Sequence, residues 1–137
     1  MEELVEDMIA IIFNPKGYSM PWSDIIDIEW SDHKLQKSCQ TEKAGRRTWG
    51  AEQWKVLKRR LAALEAAPTL ADMTGVPGNC HQLSADRSGA FALDLRGSYR
   101  LVFTPDHDPL PQLPDGGIDR RLVTRISISE VVDYHGR

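Results

Sequence analysis

The stretch from Cys80 to Thr104, CHQLSADRSGAFALDLRGSYRLVFT, carries strand patterning and polar chemistry on the same residues. Phe91, Leu93 and Leu95 alternate with Ala92, Asp94 and Arg96, and Tyr99, Leu101 and Phe103 alternate with Arg100, Val102 and Thr104. Period-two alternation in two adjacent runs predicts a hairpin of two half-buried strands. A two-residue turn at Gly97-Ser98 would put the two apolar sets on opposite faces. A three-residue loop from Arg96 to Ser98 instead pairs Leu95 with Tyr99, Leu93 with Leu101 and Phe91 with Phe103, and register follows the face that must be buried. Arg100 then stands opposite Asp94 on the other face.

Outward from this hairpin, 137 residues with 41% hydrophobic and 27% charged side chains make one domain with an ordinary core. Cys39 and Cys80, far apart and outside any CxxC pattern, supply neither a disulfide framework nor a zinc site, so a reducing cytoplasm is expected. The N-terminal apolar run is short and follows Glu2, Glu3, Glu6 and Asp7, the wrong charge for a secretory leader. No stretch has the length of a membrane span. The formal net charge of −3 argues against a large basic footprint, but it is unevenly spread. Residues 1–24 hold five acidic residues against Lys16, which leaves 16 basic and 15 acidic residues elsewhere. A local patch can still bind RNA, though more weakly than a strongly basic domain.

Residues 1–22 read as an N-terminal extension, helical or mobile, ending in the Pro21 region, and residues 23–137 as the domain proper. Ile25, Ile26, Ile28 and Trp30 form a first strand, and Ser31-Asp32 caps a short helix running to about Thr41 with Leu35 and Cys39 inward. Gly45 and Gly50 bracket a break. From Ala51 to Ala66, Trp54, Leu57, Leu61 and Leu64 recur at helical spacing and form a core stripe. Lys55, Lys58, Arg59 and Arg60 beside it fit either a solvated helix face or an RNA-binding patch. Pro68 stops the helix, and Thr69 with Asp72 predicts a capping box over the turn Leu70 to Met73. A strand follows from Cys80 to Leu83.

Pro105 to Arg121 is a proline-rich loop with a tight turn at Asp115-Gly116-Gly117. Asp106, His107 and Asp108 do not make a metal site, because three adjacent loop side chains cannot converge unaided on one ion. The last strand, Leu122 to Tyr134, places Leu122, Ile126, Ile128, Val132 and Tyr134 on one face, with a bulge expected where Glu130 interrupts them. One strand, two helices and four mainly antiparallel strands, with the helices on one face, define an α+β layer fold.

Reactive groups collect at His81, at Arg100 and at Asp133-Tyr134-His135, all expected within reach of one sheet face. No Walker loop, GxGxxG, HExxH or nucleophile elbow is present, so neither cofactor nor metal is expected. Imidazoles that exchange protons near neutral pH, together with a guanidinium for phosphoryl charge, suit phosphodiester cleavage. Each also has a purely structural reading: a hydrogen-bonded strand histidine, a cross-strand ion pair with Asp94, and a polar strand end.

Residues 25–135 resemble the HigB-like branch of the RelE/ParE toxin superfamily. The resemblance rests on LKRRLAALEAAPTLADM, VPGNCHQLSADRSGAFALDLRGSYRLVF and the closing ISEVVDYH, with an insert, DPLPQLPDGGID, like that of a subgroup. It implies a RelE/ParE-like fold, with an N-terminal strand and helix pair packed on a mainly antiparallel twisted sheet of four or five strands. It also implies the toxin half of a type II toxin–antitoxin pair. Such a toxin cuts mRNA on the ribosome and inhibits translation; a helix-turn-helix, HigA-like antitoxin neutralises it, and operator DNA is reached only through that partner. His81 matches the histidine of the family's HxLK motif, Arg100 the arginine of YRxxF, and Asp133, Tyr134 and His135 the terminal acidic-aromatic-histidine cluster. By that match the two histidines exchange protons with the ribose 2′-OH and the leaving 5′-oxygen, Arg100 stabilises the transition state, Asp133 orients an imidazole and Tyr134 stacks on a base. Ser84 stands where the family has a lysine, with Arg87 as the nearest substitute. Two other readings stay open: a non-enzymatic toxin that blocks a protein such as gyrase, and a degenerate member that binds only its antitoxin.

Overall fold

The computed structural model describes residues 25–84 and 87–134; the expected extension over 1–22 and His135 lie outside the described residues. In chain order the elements are β1 (Asp27–Trp30), α1 (His33–Ser38), α2 (Glu42–Trp49), α3 (Ala51–Ala66), β2 (His81–Gln82), β3 (Phe91–Asp94), β4 (Tyr99–Pro105) and β5 (Arg125–Asp133). Short 3-10 turns at Leu70–Met73 and Arg120–Leu122 complete them. The five strands form one mixed sheet in the order β1-β5-β4-β3-β2, with β1 parallel to β5 and the other neighbours antiparallel. With its three helices, the chain has an α+β fold.

The β3–β4 hairpin has the register that burial demands. Phe91 faces Phe103, Leu93 faces Leu101 and Asp94 faces Arg100, while the Leu95 amide donates to the Tyr99 carbonyl at 2.9 Å. Gly97, at φ 63°, takes the left-handed position of the three-residue loop. Phe91, Leu93, Leu101 and Phe103 are fully buried against Trp54, Leu57, Leu61 and Leu64 of α3, the stripe expected from helical spacing. Each such side chain stabilises the fold by about 1.5–3 kcal/mol relative to exposure. The Thr69–Asp72 capping box is present at the turn after α3.

Two helices were expected where three occur. The first ends at Ser38, not Thr41, and the supposed break over Gly45 is the interior of α2. Thr41 caps α2 by accepting from the Ala44 amide at 3.1 Å. Gly45 lies inside this helix for a packing reason: a Cβ there would fall within the van der Waals radii of Trp54 Cδ2 and Cε3. Trp54 in turn donates from Nε1 to Glu42 Oε1 at 2.9 Å, and Lys58 reaches the same oxygen at 3.0 Å. The Trp54 hydrogen bond, followed by Lys58, holds the Glu42 carboxyl below the usual carboxylate range.

The last strand also departs from expectation. It begins at Arg125 rather than Leu122, which is exposed at the end of a 3-10 turn. Val102 faces Glu130 and Phe103 faces Ile128, so Ser129 is an extra residue, its Oγ donating to the Val102 carbonyl at 3.1 Å. This bulge reverses the side-chain alternation. Val131 therefore joins the main core, and Val132 and Tyr134 pack with Leu83, Ala90, Ala92 and Val102 on the other face, against the expected grouping with Ile126 and Ile128. The strand expected over Cys80 to Leu83 is reduced to His81–Gln82.

Glycine to alanine inside a helix ordinarily adds stability. Gly45→Ala is expected to do the opposite, lowering the free energy of unfolding by about 1–3 kcal/mol as the Trp54 ring is displaced. Urea denaturation measures it; an unchanged or raised midpoint would remove the packing explanation.

Candidate functional site

The face of the sheet opposite α3 collects the polar groups. In antiparallel pairs, directly opposed residues share a face. His81 opposes Ala92 and Ala92 opposes Val102, while Asp94 opposes Arg100 and Arg100 opposes Val132. His81, Asp94, Arg100, Glu130, Val132 and Tyr134 therefore lie on one side, over a floor made by Ala92 and Val102. Strand separation and residue rise put the Cα atoms of His81 and Arg100 about 12 Å apart, a span that their two side chains can bridge onto one bound group.

His81 Nδ1 is 2.7 Å from the carbonyl oxygen of Asn79. A carbonyl only accepts, so Nδ1 carries a proton and Nε2 is the nitrogen left to exchange one. Asn79 supplies that carbonyl from a left-handed backbone conformation, φ 52°, in the turn leading to β2. The same residue donates from Nδ2 to Asp94 Oδ2 at 3.4 Å, linking the histidine turn to the hairpin.

Two guanidiniums flank Tyr134. Arg100 Cζ lies 4.6 Å from the ring centroid and Arg87 Cζ 5.4 Å, both within cation–π range. Each also has an acidic neighbour. Arg87 bonds Glu130 Oε2 through Nε at 3.1 Å, with a second nitrogen at 2.9 Å. Arg100 Nε lies 3.3 Å from Asp94 Oδ1, close enough for a charge pair but misaligned for a hydrogen bond, so that buried oxygen is left without one. The Arg100 pair is therefore the looser of the two. The Tyr134 ring already serves as a seat for two arginines, and its hydroxyl is buried without a hydrogen-bond partner among the described residues.

Other candidates from the sequence land elsewhere. Asp133 faces Tyr99 on the opposite side of β5 from Tyr134 and accepts a hydrogen bond from Ser98 Oγ at the hairpin turn. The expectation that it lies within reach of the face of His81 and Arg100 is thus corrected, because the bulge at Ser129 reverses the alternation and turns Asp133 to the other side. On α3, Lys55 and Arg59 are exposed and make no ion pair among the described residues, whereas Lys58 is held by Glu42 and lies over Trp54 at 5.8 Å. Arg60 is structural: its Nε donates to the Asp94 carbonyl at 2.8 Å. Ser84 is exposed.

Sequence reasoning missed the carboxylate of Glu130 and the carbonyl of Asn79. The first was concealed by the bulge, and no side-chain pattern reports a backbone oxygen. In the proline-rich loop, the turn at Asp115 forms as expected, with the Gly117 amide donating to Asp115 Oδ1 at 2.8 Å. His107 is occupied there, its Nε2 accepting from the amides of Thr124 and Arg125 at 3.1 and 3.3 Å. Among the described residues, no three His, Cys, Asp or Glu side chains converge in a metal-binding group, and no helix is long and apolar enough to cross a membrane.

Burial pushes the Cys80 thiol up to about 11, against the opposing field of Arg120, and also raises Cys39. Iodoacetamide at pH 8 is expected to alkylate Cys80 at least about a hundredfold more slowly than free cysteine, since the thiolate is the nucleophile. Peptide mass mapping after timed quenching reads this, and rapid labelling would contradict it. Tyr134→Phe is expected to raise stability by about 1 kcal/mol in urea, because it removes a buried hydroxyl that has no hydrogen-bond partner among the described residues; a loss of that size would mean the hydroxyl has a partner in solution. Compared with known proteins, the chain matches no family model and no curated protein.

Proposed function

We propose that this chain is the toxin of a bacterial type II toxin–antitoxin pair, with a RelE/ParE-like domain that cleaves mRNA on the ribosome in the cytoplasm. Its partner in this reading is a HigA-like helix-turn-helix antitoxin, through which alone it meets operator DNA. The observation that carries the reading is His81: its Nδ1 is committed to the Asn79 carbonyl, its Nε2 is left to exchange a proton, and it shares a sheet face with Arg100.

The reaction follows from those groups. Nε2 of His81 takes the proton of a ribose 2′-OH, and the 2′-oxygen attacks the adjacent phosphorus as the bond to the 5′-oxygen breaks. Arg100 supports the charge that builds on the phosphoryl oxygens, exchanging its loose contact with Asp94 for the phosphate. The leaving 5′-oxygen takes a proton from His135, the second carrier in this scheme. The products are a cyclic phosphate and a free 5′-OH, and no metal takes part. Arg87, next to Tyr134, contributes positive charge where Ser84 does not.

One observation favours a second reading, a domain that binds an antitoxin or another protein target without cutting RNA. Both arginines of the face are neighboured by carboxylates, Asp94 and Glu130, which oppose the approach of a phosphate.

Expression of the intact chain in a bacterial host, beside His81→Ala and Arg100→Ala, separates the two. New 5′-OH ends on mRNA are expected from the intact chain. Their yield should fall by about 10²–10⁴ in His81→Ala and by about 10²–10³ in Arg100→Ala. Growth arrest without new ends would transfer the case to the protein-binding reading.

A further inference from the structure

On the shoulder formed by α1 and α2 the charge is distributed differently. Residues 33–49 contain five basic residues and one acidic residue, a net of +4 in a chain whose formal charge is −3. A concavity of about 290 Å³ opens between the two helices, lined by Lys34, Lys37, Lys43 and Arg47 with the hydroxyls of Thr41 and Thr48. No carboxylate lines it. Glu42, the acidic residue of the segment, is engaged by Trp54, Lys58 and Arg46. Among the described residues, none of the four lining cations has a salt-bridge partner.

This arrangement has a cost to the fold. Lys34 and Lys37 are three residues apart on α1, and Lys43 and Arg47 four apart on α2, spacings at which like charges repel. On the sheet face, by contrast, Arg87 and Arg100 each have a carboxylate beside them. Four cations gathered around one hollow without a counter-charge indicate a ligand that brings its own negative charge.

The lining also narrows the ligand. It contains no aromatic ring, so bases have nothing to stack on. Cations and hydroxyls are the groups that hold phosphate oxygens and fix position without reading sequence. The volume lies at the bottom of the range for small-molecule sites, room for a phosphate with its sugar rather than for an extended base pocket.

We propose that the α1–α2 concavity is a binding site for the phosphate backbone of a single-stranded nucleic acid, distinct from the His81–Arg100 face and independent of whether that face cuts RNA. Each phosphate that the site neutralises adds about −0.7 to the slope of log K against log salt for a single strand.

The test is fluorescence anisotropy of the full chain with labelled 12-mers of single-stranded DNA and of 2′-O-methyl RNA, which lacks the attacking hydroxyl and so survives any cleavage activity. Lys37→Glu combined with Arg47→Glu is compared with Lys55→Glu combined with Arg59→Glu on α3. The groove pair is expected to weaken both 12-mers at least about tenfold in 0.1 M salt and to flatten the salt slope by about 1–1.5, and the α3 pair by clearly less. Should the reversed pair melt early by circular dichroism, Lys37→Gln with Arg47→Gln is expected to flatten the slope by about 1–1.5 as well, since the same two contacts are lost. Equal losses from the two helices, an unchanged slope in the groove variant, or binding of RNA without DNA would overturn the assignment. So would preferential capture of an oligoglutamate 12-mer at the same residues, the outcome for an acidic protein partner. Loss of cleavage with intact 12-mer binding would count against the reading of the sheet face alone.

Discussion

One residue of register in the β3–β4 hairpin decides whether its two apolar sets share a face. With Phe91 on Phe103 and Leu93 on Leu101, four large side chains meet the α3 stripe, and Asp94 and Arg100 are carried to the far face together. A slip of one position would put the apolar sets of the two strands on opposite faces and part Asp94 from Arg100. The main core and the polar face are therefore consequences of the same constraint, because side chains of a strand alternate strictly. β2 inherits its facing from β3, which is why His81 reaches the face that Arg100 occupies.

β5 satisfies this constraint only by breaking its own alternation. Continued without a bulge, the strand would bury Glu130 beneath α3 and expose Val131. Inserting Ser129 turns Glu130 outward to meet Arg87 and returns Val131 to the core. The same shift brings Tyr134 beneath the two guanidiniums and leaves Asp133 at the hairpin turn. A single inserted residue thus resolves a conflict in the core and assembles half of the polar face.

The two cationic regions differ in how they are balanced. On the sheet face, arginines rest on an aromatic ring beside carboxylates, and a ligand must compete for them. On the α1–α2 shoulder the positive charge has no such competitor among the described residues. The corner that holds this shoulder depends on Trp54, which packs on Gly45 and draws Glu42 away through its indole N–H. The packing of one tryptophan and the charge left over on α2 are therefore linked, since Glu42 is the acidic residue of that segment.

By itself, the sequence determined whatever depends on local period and local chemistry. The hairpin pairing, the α3 stripe and the Thr69–Asp72 capping box belong here, as does the choice of His81 and Arg100 from their residue types. Period two, period 3.6 and a short-range hydrogen bond all act within a few residues, so their signal lies in the neighbouring letters. Tertiary structure decided the rest. Gly45 reads as a helix breaker until the Trp54 ring occupies the space its side chain would need. Glu130 marks a bulge in the sequence, but only pairing with β4 sets it at Ser129 and turns the carboxylate toward Arg87. The parallel docking of β1 on β5, and the bulge that turns Asp133 away from the polar face, both require partners distant in the chain. Their physical reason is common to all of them: each is fixed by which surface the residue meets, and that surface does not exist until the sheet has formed.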